Sequence, residues 1–349
     1  MSKHILQLLF LLAVLILGSS LTSTGLASGK QETRDSLHNP EASSEIILRF
    51  GGDCMLGGHY EQAVGDDLAF VFDGFDILRS ADIAMVNLEC PVTLHGKKVP
   101  KPFNFRMRPG FLQVLKDAGI DVVNIANNHI YDYGEVGLFD TIAYLDSVGI
   151  GHVGAGRNRT EAHRPYIANV WGKRLGFLGY YGGGESPVAT QRAGVAKRDI
   201  ELIQSDILAL KEKDSADFVV VNIHWGTEKA DTPETWQVQL AHQIIDAGAN
   251  AVIGHHPHVL QGIEKYKSGV IVYSLGNLVF GGNHRSNYTT GLFEIRLKNH
   301  HPEYRFIPVI IENWKAMGLT GAAGDSVIQH VRELSGIFPE SIFTNKERK

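Results

Sequence analysis

Short apolar runs alternate along this chain with stretches of helical period, and each run stops at a polar or turn-forming cluster. Residues 45–50 alternate weakly and predict a first strand ending at Gly51-Gly52-Asp53. Residues 82–89 predict a second strand, ending at Glu89 with Pro91 as its stop, and 66–80 between them reads as partly helical. A helix over 111–118, closed by Gly119, leads to a third strand over 121–126, which runs into Asn127-Asn128-His129. Helical spacing returns over 137–148 before Gly149. Farther on, 166–171 and 174–180 predict a hairpin around Gly172-Lys173, 200–213 an amphipathic helix, and 218–223 a central strand ending at His224-Trp225-Gly226. A helix over 236–247 precedes a strand over 251–253, which stops at Gly254 before three histidines set around Pro257. Strands over 270–274, 291–298 and 304–311 and a helix over 325–335 follow. Such alternation predicts one layered α/β domain from about residue 45 to the end. Polar clusters just past the strand ends place a site on the carboxyl edge of its sheets.

The N-terminus breaks this rhythm. Lys3 and His4 precede a largely apolar run over 5–17, and Gly25-Leu26-Ala27 offers small residues where a signal peptidase reads. The run is short beside the roughly 20 apolar residues of a membrane span. A cleaved export signal over 1–27 is expected, with an uncleaved anchor as the alternative, followed by a polar tether over 28–44. The formal charge of -5 is of mixed sign with no long basic run, which argues against a nucleic-acid partner. The two cysteines, Cys54 and Cys90, each follow a candidate site carboxylate. A bridge between them and two separate buried thiols are both open, because sequence does not supply the Cα separation.

The chemistry gathers at the strand ends: Asp53, Glu89, Asn128, His129, His224, His256 and His258. Singly, each has a bland reading, since an Asp or Asn there caps turns and a lone His is usually hydrogen-bonded structure. Together they form an oxygen and imidazole set that suits Mn²⁺, Zn²⁺, Fe or Mg²⁺. A carboxylate able to bridge, Asp53 or Glu89, with several histidines is what a pair of divalent ions requires. Pro257 is expected to bias His256 towards extended backbone. Asp132 and Glu228 are candidates for orienting His129 and His224, with Gln261 and Glu264 as weaker ones. In the segment 101–109, Arg106 is the candidate for gripping an anionic substrate group, because its planar fork matches a carboxylate or phosphate.

The ordered motifs Gly52-Asp53-Cys54-Met55, Asn87-Leu88-Glu89-Cys90-Pro91, Ala126-Asn127-Asn128-His129, His224-Trp225-Gly226, Gly254-His255-His256-Pro257-His258 and Ser274-Leu275-Gly276-Asn277 resemble the CapA family of capsule and poly-γ-glutamate biosynthesis. The resemblance covers about residues 46–285 and extends to calcineurin-like metallophosphoesterases. It implies a four-layer αββα sandwich of mixed sheets. It also implies a metal site in which Asp53 binds a first ion, Glu89 bridges, Asn128 binds a second, and His224, His256 and His258 complete the ligands. His129 then stands at the position that protonates a leaving group. The expected partners are an anionic polymer or phosphoester substrate and membrane proteins of capsule synthesis. Two departures bear on catalysis. Met55 occupies a ligand histidine's position, which His59 or His255 could fill, and Glu89 replaces a shorter carboxylate. A capsule-polymer component with a metal site and a metal-dependent phosphoesterase or γ-glutamyl hydrolase are both consistent with this pattern.

Overall fold

The structure is a computed structural model that describes residues 45–298 and 301–343. The predicted export segment and the whole of the tether lie outside the described residues. Among those described, no helix is long and apolar enough to cross a membrane.

The chain runs β1 (Glu45–Met55), α1 (His59–Val64), β2 (Ile83–Leu88), α2 (Gly110–Asp117), β3 (Val122–Asn124), α3 (Gly134–Val148) and β4 (Gly151–Val153). It continues through β5 (Ala155–Gly156), α4 (Arg159–Ala162), β6 (Tyr166–Val170), β7 (Lys173–Tyr181), β8 (Gly194–Val195), α5 (Ile200–Glu212) and β9 (Phe218–His224). Next come α6 (Thr235–Asp246), β10 (Ala251–His255), β11 (Ile263–Tyr266), β12 (Gly269–Val272) and β13 (Asn277–Phe280). The long antiparallel strands β14 (Tyr288–Lys298) and β15 (His301–Glu312), then β16 (Lys315–Gly318) and α7 (Gly321–Leu334), close the sequence of elements.

Two mixed sheets result. One has the order β16-β15-β14-β1-β2-β3-β4, with β13 also paired to β1; the other has the order β11-β12-β10-β9-β7-β6. Period-two alternation sorts their apolar residues into three layers. Leu48, Phe50, Met85 and Val122 of the first sheet meet Phe177, Val220, Ile253 and Val272 of the second. Behind the first sheet, Val86, Leu88 and Val123 pack on Leu112, Leu138 and Ile142 of α2 and α3. Behind the second, Val219, Val221 and Ile223 pack on Ile203 and Ile207 of α5 and Ile244 of α6. Helix, sheet, sheet, helix is the four-layer order expected.

Expectation and structure differ at four points. The first strand does not end at Gly51-Gly52. It continues to Met55 through a bulge, where the register against β2 jumps between Phe50 and Asp53. Segment 66–80 holds only a 3₁₀ turn over Leu68–Phe72. Strands β11, β13 and β16, four residues each, are too short to show periodicity beside their turns. Cys54 and Cys90 are free, buried thiols with no bridge, and burial pushes the Cys54 thiol up to about 12.

Glu294 is a buried carboxylate of the first sheet. Glu294 on β14 takes the Arg49 guanidinium at 2.7 Å from the adjacent β1 position and Arg296 at 2.7 Å, with Arg305 at 3.2 Å. Burial opposes its ionisation, but these arginines outweigh that and hold its carboxyl below the usual range. Removing one partner of a buried pair leaves the other uncompensated. Glu294→Gln is therefore expected to cost about 3 kcal/mol in urea unfolding at pH 7. The folded value is depressed, so the pair's contribution is full above about pH 4.3 and fades as pH falls through the folded value. The gap between native and variant should close on acidification; a gap constant with pH contradicts the assignment.

Candidate metal centre

The same alternation that builds the inter-sheet core aims polar residues into the space between the sheets at their carboxyl ends. Asn87 shares the parity of Ile83 and Met85, and Asn222 and His224 that of Phe218 and Val220. His255 follows Ala251 and Ile253. Asp53 would face the other way without the bulge, since Leu48 and Phe50 are the inward residues of β1. The extra residue turns Asp53 inward. Gly52 makes this possible by close approach: a Cβ there would lie 1.9 Å from the Gly276 oxygen, and the Asp53 amide donates to that oxygen at 2.9 Å.

Asp53 is fully buried and well held. Its Oδ1 accepts from Asn87 Nδ2 at 2.8 Å and its Oδ2 from the His256 amide at 3.1 Å, with His258 Nδ1 at 3.3 Å from Oδ2. Burial would raise its pKa, but His258, His255 and the His256 amide together lower it. Glu89 is the opposite case. Both its oxygens are buried without a hydrogen-bond partner. The Nε2 atoms of His224 and His258 stand 3.5 and 3.7 Å from Oε1. Burial first, with Asp53 nearby, pushes its carboxyl well above the usual range, although His258 opposes this.

The imidazoles fall into two states. His258 Nδ1 lies 2.7 Å from Asn277 Oδ1. Burial pulls this ring's pKa down, but Glu89 and Asp53 outweigh it and push it up to about 10. His224 sits between Asn87 Nδ2, 3.2 Å from Nδ1, and Asn128 Oδ1, 2.8 Å from Nε2. Burial and the neighbouring rings hold its pKa well below the ordinary histidine value. The His256 ring is 4.6 Å from that of His224, and its Nδ1 is buried without a partner. Burial lowers its pKa too.

The turn carrying these rings is not the extended one that Pro257 suggested. His256 has φ 100 and His258 φ 57, conformations that L residues adopt at a cost of about 1–3 kcal/mol each. Cross-links over-determine them: the His256 amide on Asp53, Trp225 N on His255 O at 3.0 Å, and Lys229 N on Pro257 O at 2.8 Å.

Ligand atoms of three overlapping groups lie within 4.8 Å of one another: Glu89, His224 and His256; Asp53, Glu89 and His258; and Glu228, His256 and His258. Glu89, His256 and His258 each belong to two of the groups, and Glu89 is the one carboxylate so shared. A buried carboxylate with no donor, two buried imidazole nitrogens with no hydrogen-bond partner (Nδ1 of His255 and of His256), and an oxygen and nitrogen donor set all fit divalent cations.

Beside the cluster, His129 Nδ1 is 2.7 Å from Asp132 Oδ2, and its ring lies on Phe105 with centroids 4.2 Å apart. Burial lowers its pKa despite the carboxylate. Asp132 is itself fixed by the Phe105 amide and by an ion pair with Lys101, whose Nζ also donates to the Asn128 carbonyl at 2.8 Å.

The structure thus gathers Asp53, Glu89, Asn128, His129, His224, His256 and His258, and sets Asp132 behind His129. It moves others. Glu228 does not contact His224. It is an exposed carboxylate grouped with His256 and His258, because Gly226 at φ 88 and Lys229 at φ 61 fold its segment over that turn. Arg106 is exposed, with its guanidinium 4.9 Å over the Tyr133 ring, and the cation that touches His129 and the Asn128 backbone is Lys101. Met55 is buried in the layer behind the first sheet and accepts from Gly57 N. The His59 ring lies tilted against that of His284, centroids 3.8 Å apart, outside the three groups. His255 does face Asp53, its Nδ1 3.9 Å from Oδ1, and burial pulls its pKa down to about 4. Glu264 binds His242 and Tyr273 instead of facing the site or solvent. Asn87 and Asn277 had a readable signal in their inward parity or motif; Lys101, on a loop, had none.

The family described as bacterial capsule synthesis protein PGA_cap matches residues 47–282, a span that contains every one of these cluster residues. The chain belongs to this family. Among similar proteins of the family's theme, the capsule biosynthesis protein CapA of Bacillus anthracis is 34% identical over 74% of this chain and 65% of its own length. The PGA biosynthesis protein CapA of Bacillus subtilis (strain 168) is 35% identical over 73% of this chain and 68% of its own. The matched region thus spans about two thirds of either relative. Among solved structures, the 5'-nucleotidase from Candida albicans SC5314 is similar over 84% of this chain and 57% of its own, at 13% identity and a TM-score of 0.45, too distant to bear on chemistry.

Proposed function

We propose that this protein is exported and serves in the synthesis or export of an anionic capsule polymer of the poly-γ-glutamate kind, with divalent metal held by the cluster. Membrane proteins of capsule synthesis are its expected partners. The observation that carries the metal reading is Glu89, a buried carboxylate whose two oxygens have no donor while three imidazoles surround it. Asp53, Glu89, Asn128, His224, His256 and His258 would hold the ions, with Glu228 reaching the outer one. Bound divalent ions supply concentrated positive charge for an anionic group. Family membership and the relatives' capsule roles support the polymer as the source of that group. Purified native protein is expected to retain about two ions per chain by elemental analysis, as paired sites do, and His258→Ala to lose most of them. Native protein that retains none after loading with Mn²⁺, Zn²⁺, Fe²⁺ or Mg²⁺ contradicts the reading. In the cell, surface polymer should vanish on deletion and return with the native copy but not with Glu89→Gln.

Asp132 beside His129 favours a second reading, hydrolysis of a phosphoester or γ-glutamyl bond. Asp132 holds the Nδ1 proton, which leaves Nε2 to exchange a proton with a bound group. Turnover of γ-glutamyl oligomers or a nitrophenyl phosphodiester that falls roughly 100-fold or more in His129→Ala, at unchanged metal content, supports it. Turnover indifferent to that change removes it.

A further inference from the structure

A cleft of about 690 Å³ lies next to the cluster, lined by Met55, Lys98, Phe105, Arg106, Arg108 and Tyr133 among others. Phe105 is the wall the two share. Its ring lies on His129, and it meets edge-on the Phe280 ring, which packs on His258 at 4.6 Å. The three cations of the cleft are not equivalent. Arg108 is paired with Glu61 and lies over Phe111. Arg106 and Lys98 have no ion pair among the described residues, and both are exposed to the cleft. Arg106 is nonetheless ordered by the Tyr133 face. A guanidinium laid over an aromatic ring keeps its edge N–H donors free and loses little freedom when an anion arrives. With Glu61 taken by Arg108, Asp66 is the remaining carboxylate among the lining residues. Single unpaired cations are common on surfaces. Here two of them face one concavity, and one is bonded directly to the residue that walls off the cluster.

The geometry points to this cleft as a second subsite that takes a carboxylate-bearing segment of a polyanionic chain while a neighbouring unit sits at the cluster. Arg106 is the fork that grips one carboxylate and Lys98 supplies the second charge. The proposal rests on the polymer reading above and adds to it that affinity is gained with chain length. A single glutamyl unit reaches one subsite; a longer chain reaches both, and the second contact is then intramolecular.

The test is calorimetric titration of the full, Mn²⁺-loaded chain with γ-linked glutamyl dimers, tetramers and octamers. The octamer is expected to bind at least about tenfold tighter than the dimer. The double variant Arg106→Gln/Lys98→Gln, at exposed positions without an ion pair among the described residues, should lose most of that gain while keeping its metal content and its affinity for the dimer. The control Lys211→Gln/Lys213→Gln, which removes the same charge from the end of α5, should keep the gain. A gain that survives in the cleft variant, or disappears equally in the control, overturns the subsite and leaves the polymer reading standing. No binding of any oligomer to the native protein overturns both.

Discussion

Glu89→Gln is expected to make the metal-free protein more stable and to abolish the stabilisation that divalent ions give the native chain. The glutamine keeps the shape of the side chain and removes a carboxyl whose ionisation is penalised by burial and by Asp53. Burial and Asp53 outweigh His258 and bias Glu89 towards its acid form in the metal-free native protein. Holding it there costs stability wherever the unfolded chain would ionise it. The folded value is raised, so the penalty is absent below about pH 4.3 and grows as pH rises towards the folded value. In urea unfolding with EDTA the variant should therefore match the native protein near pH 4 and exceed it by about 1–3 kcal/mol near neutrality. With free ion at about 100 times the dissociation constant, the native protein gains about 2.7 kcal/mol and the variant close to none, so the ranking reverses. Ligation also strips the proton from His258, so ion affinity should fall as the solution is acidified. A variant weaker than native in EDTA, with an undiminished gain from metal, rejects Glu89 as a ligand.

The second large effect comes from a residue with no side chain. In Gly52→Ala the new Cβ would sit 1.9 Å from the Gly276 oxygen, 2.8 Å from the Gly276 carbonyl carbon and 3.2 Å from that of Leu275. All three are backbone atoms, so no rotamer change relieves the contact. Either β1 moves away from the loop before β13, breaking the hydrogen bond that seats Asp53, or the bulge is lost and Asp53 turns outward. Overpacking usually costs about 1–3 kcal/mol, and this contact belongs at or above the top of that range. A fall in Tm of roughly 6 °C or more is expected, with loss of bound metal. Gly336→Ala, where nothing lies within 4 Å of the added carbon, should change stability by less than about 0.5 kcal/mol. A Gly52→Ala protein with native Tm and metal content refutes the close-approach account.

How much of this was legible in the chain follows from which forces are local. Where an apolar run stops is local, so the run ends placed Asp53, Glu89, His224 and His258 at one sheet edge, and a layered α/β domain followed from the alternation of helices and strands. The bulge at Gly51-Gly52 is not local. Two glycines read equally well as a strand end, and only the approach of Gly276, more than two hundred residues later, makes them a mid-strand kink. The left-handed backbone at His256 went against the preference of a residue before proline, because bonds from Asp53 and Lys229 decide it. Arg106 and Lys101 occupy the same loop, and nothing in their spacing tells which one turns to His129. Glu228 was misplaced for a similar reason: its direction depends on two left-handed residues around it.

The pairing of β1 with β2 on one side and with β13 and β14 on the other has a temporal meaning. Its partners are separated by about two hundred residues of chain, so the cluster cannot assemble piecemeal as synthesis proceeds. A product cut short before Asn277 lacks the amide oxygen that fixes the His258 ring and the strand that closes beside Asp53. Such a fragment would leave its histidines dangling and its carboxylates wet, with no half-strength version of the centre. The candidate cation site is thus complete only when β13 and β14 are paired to β1.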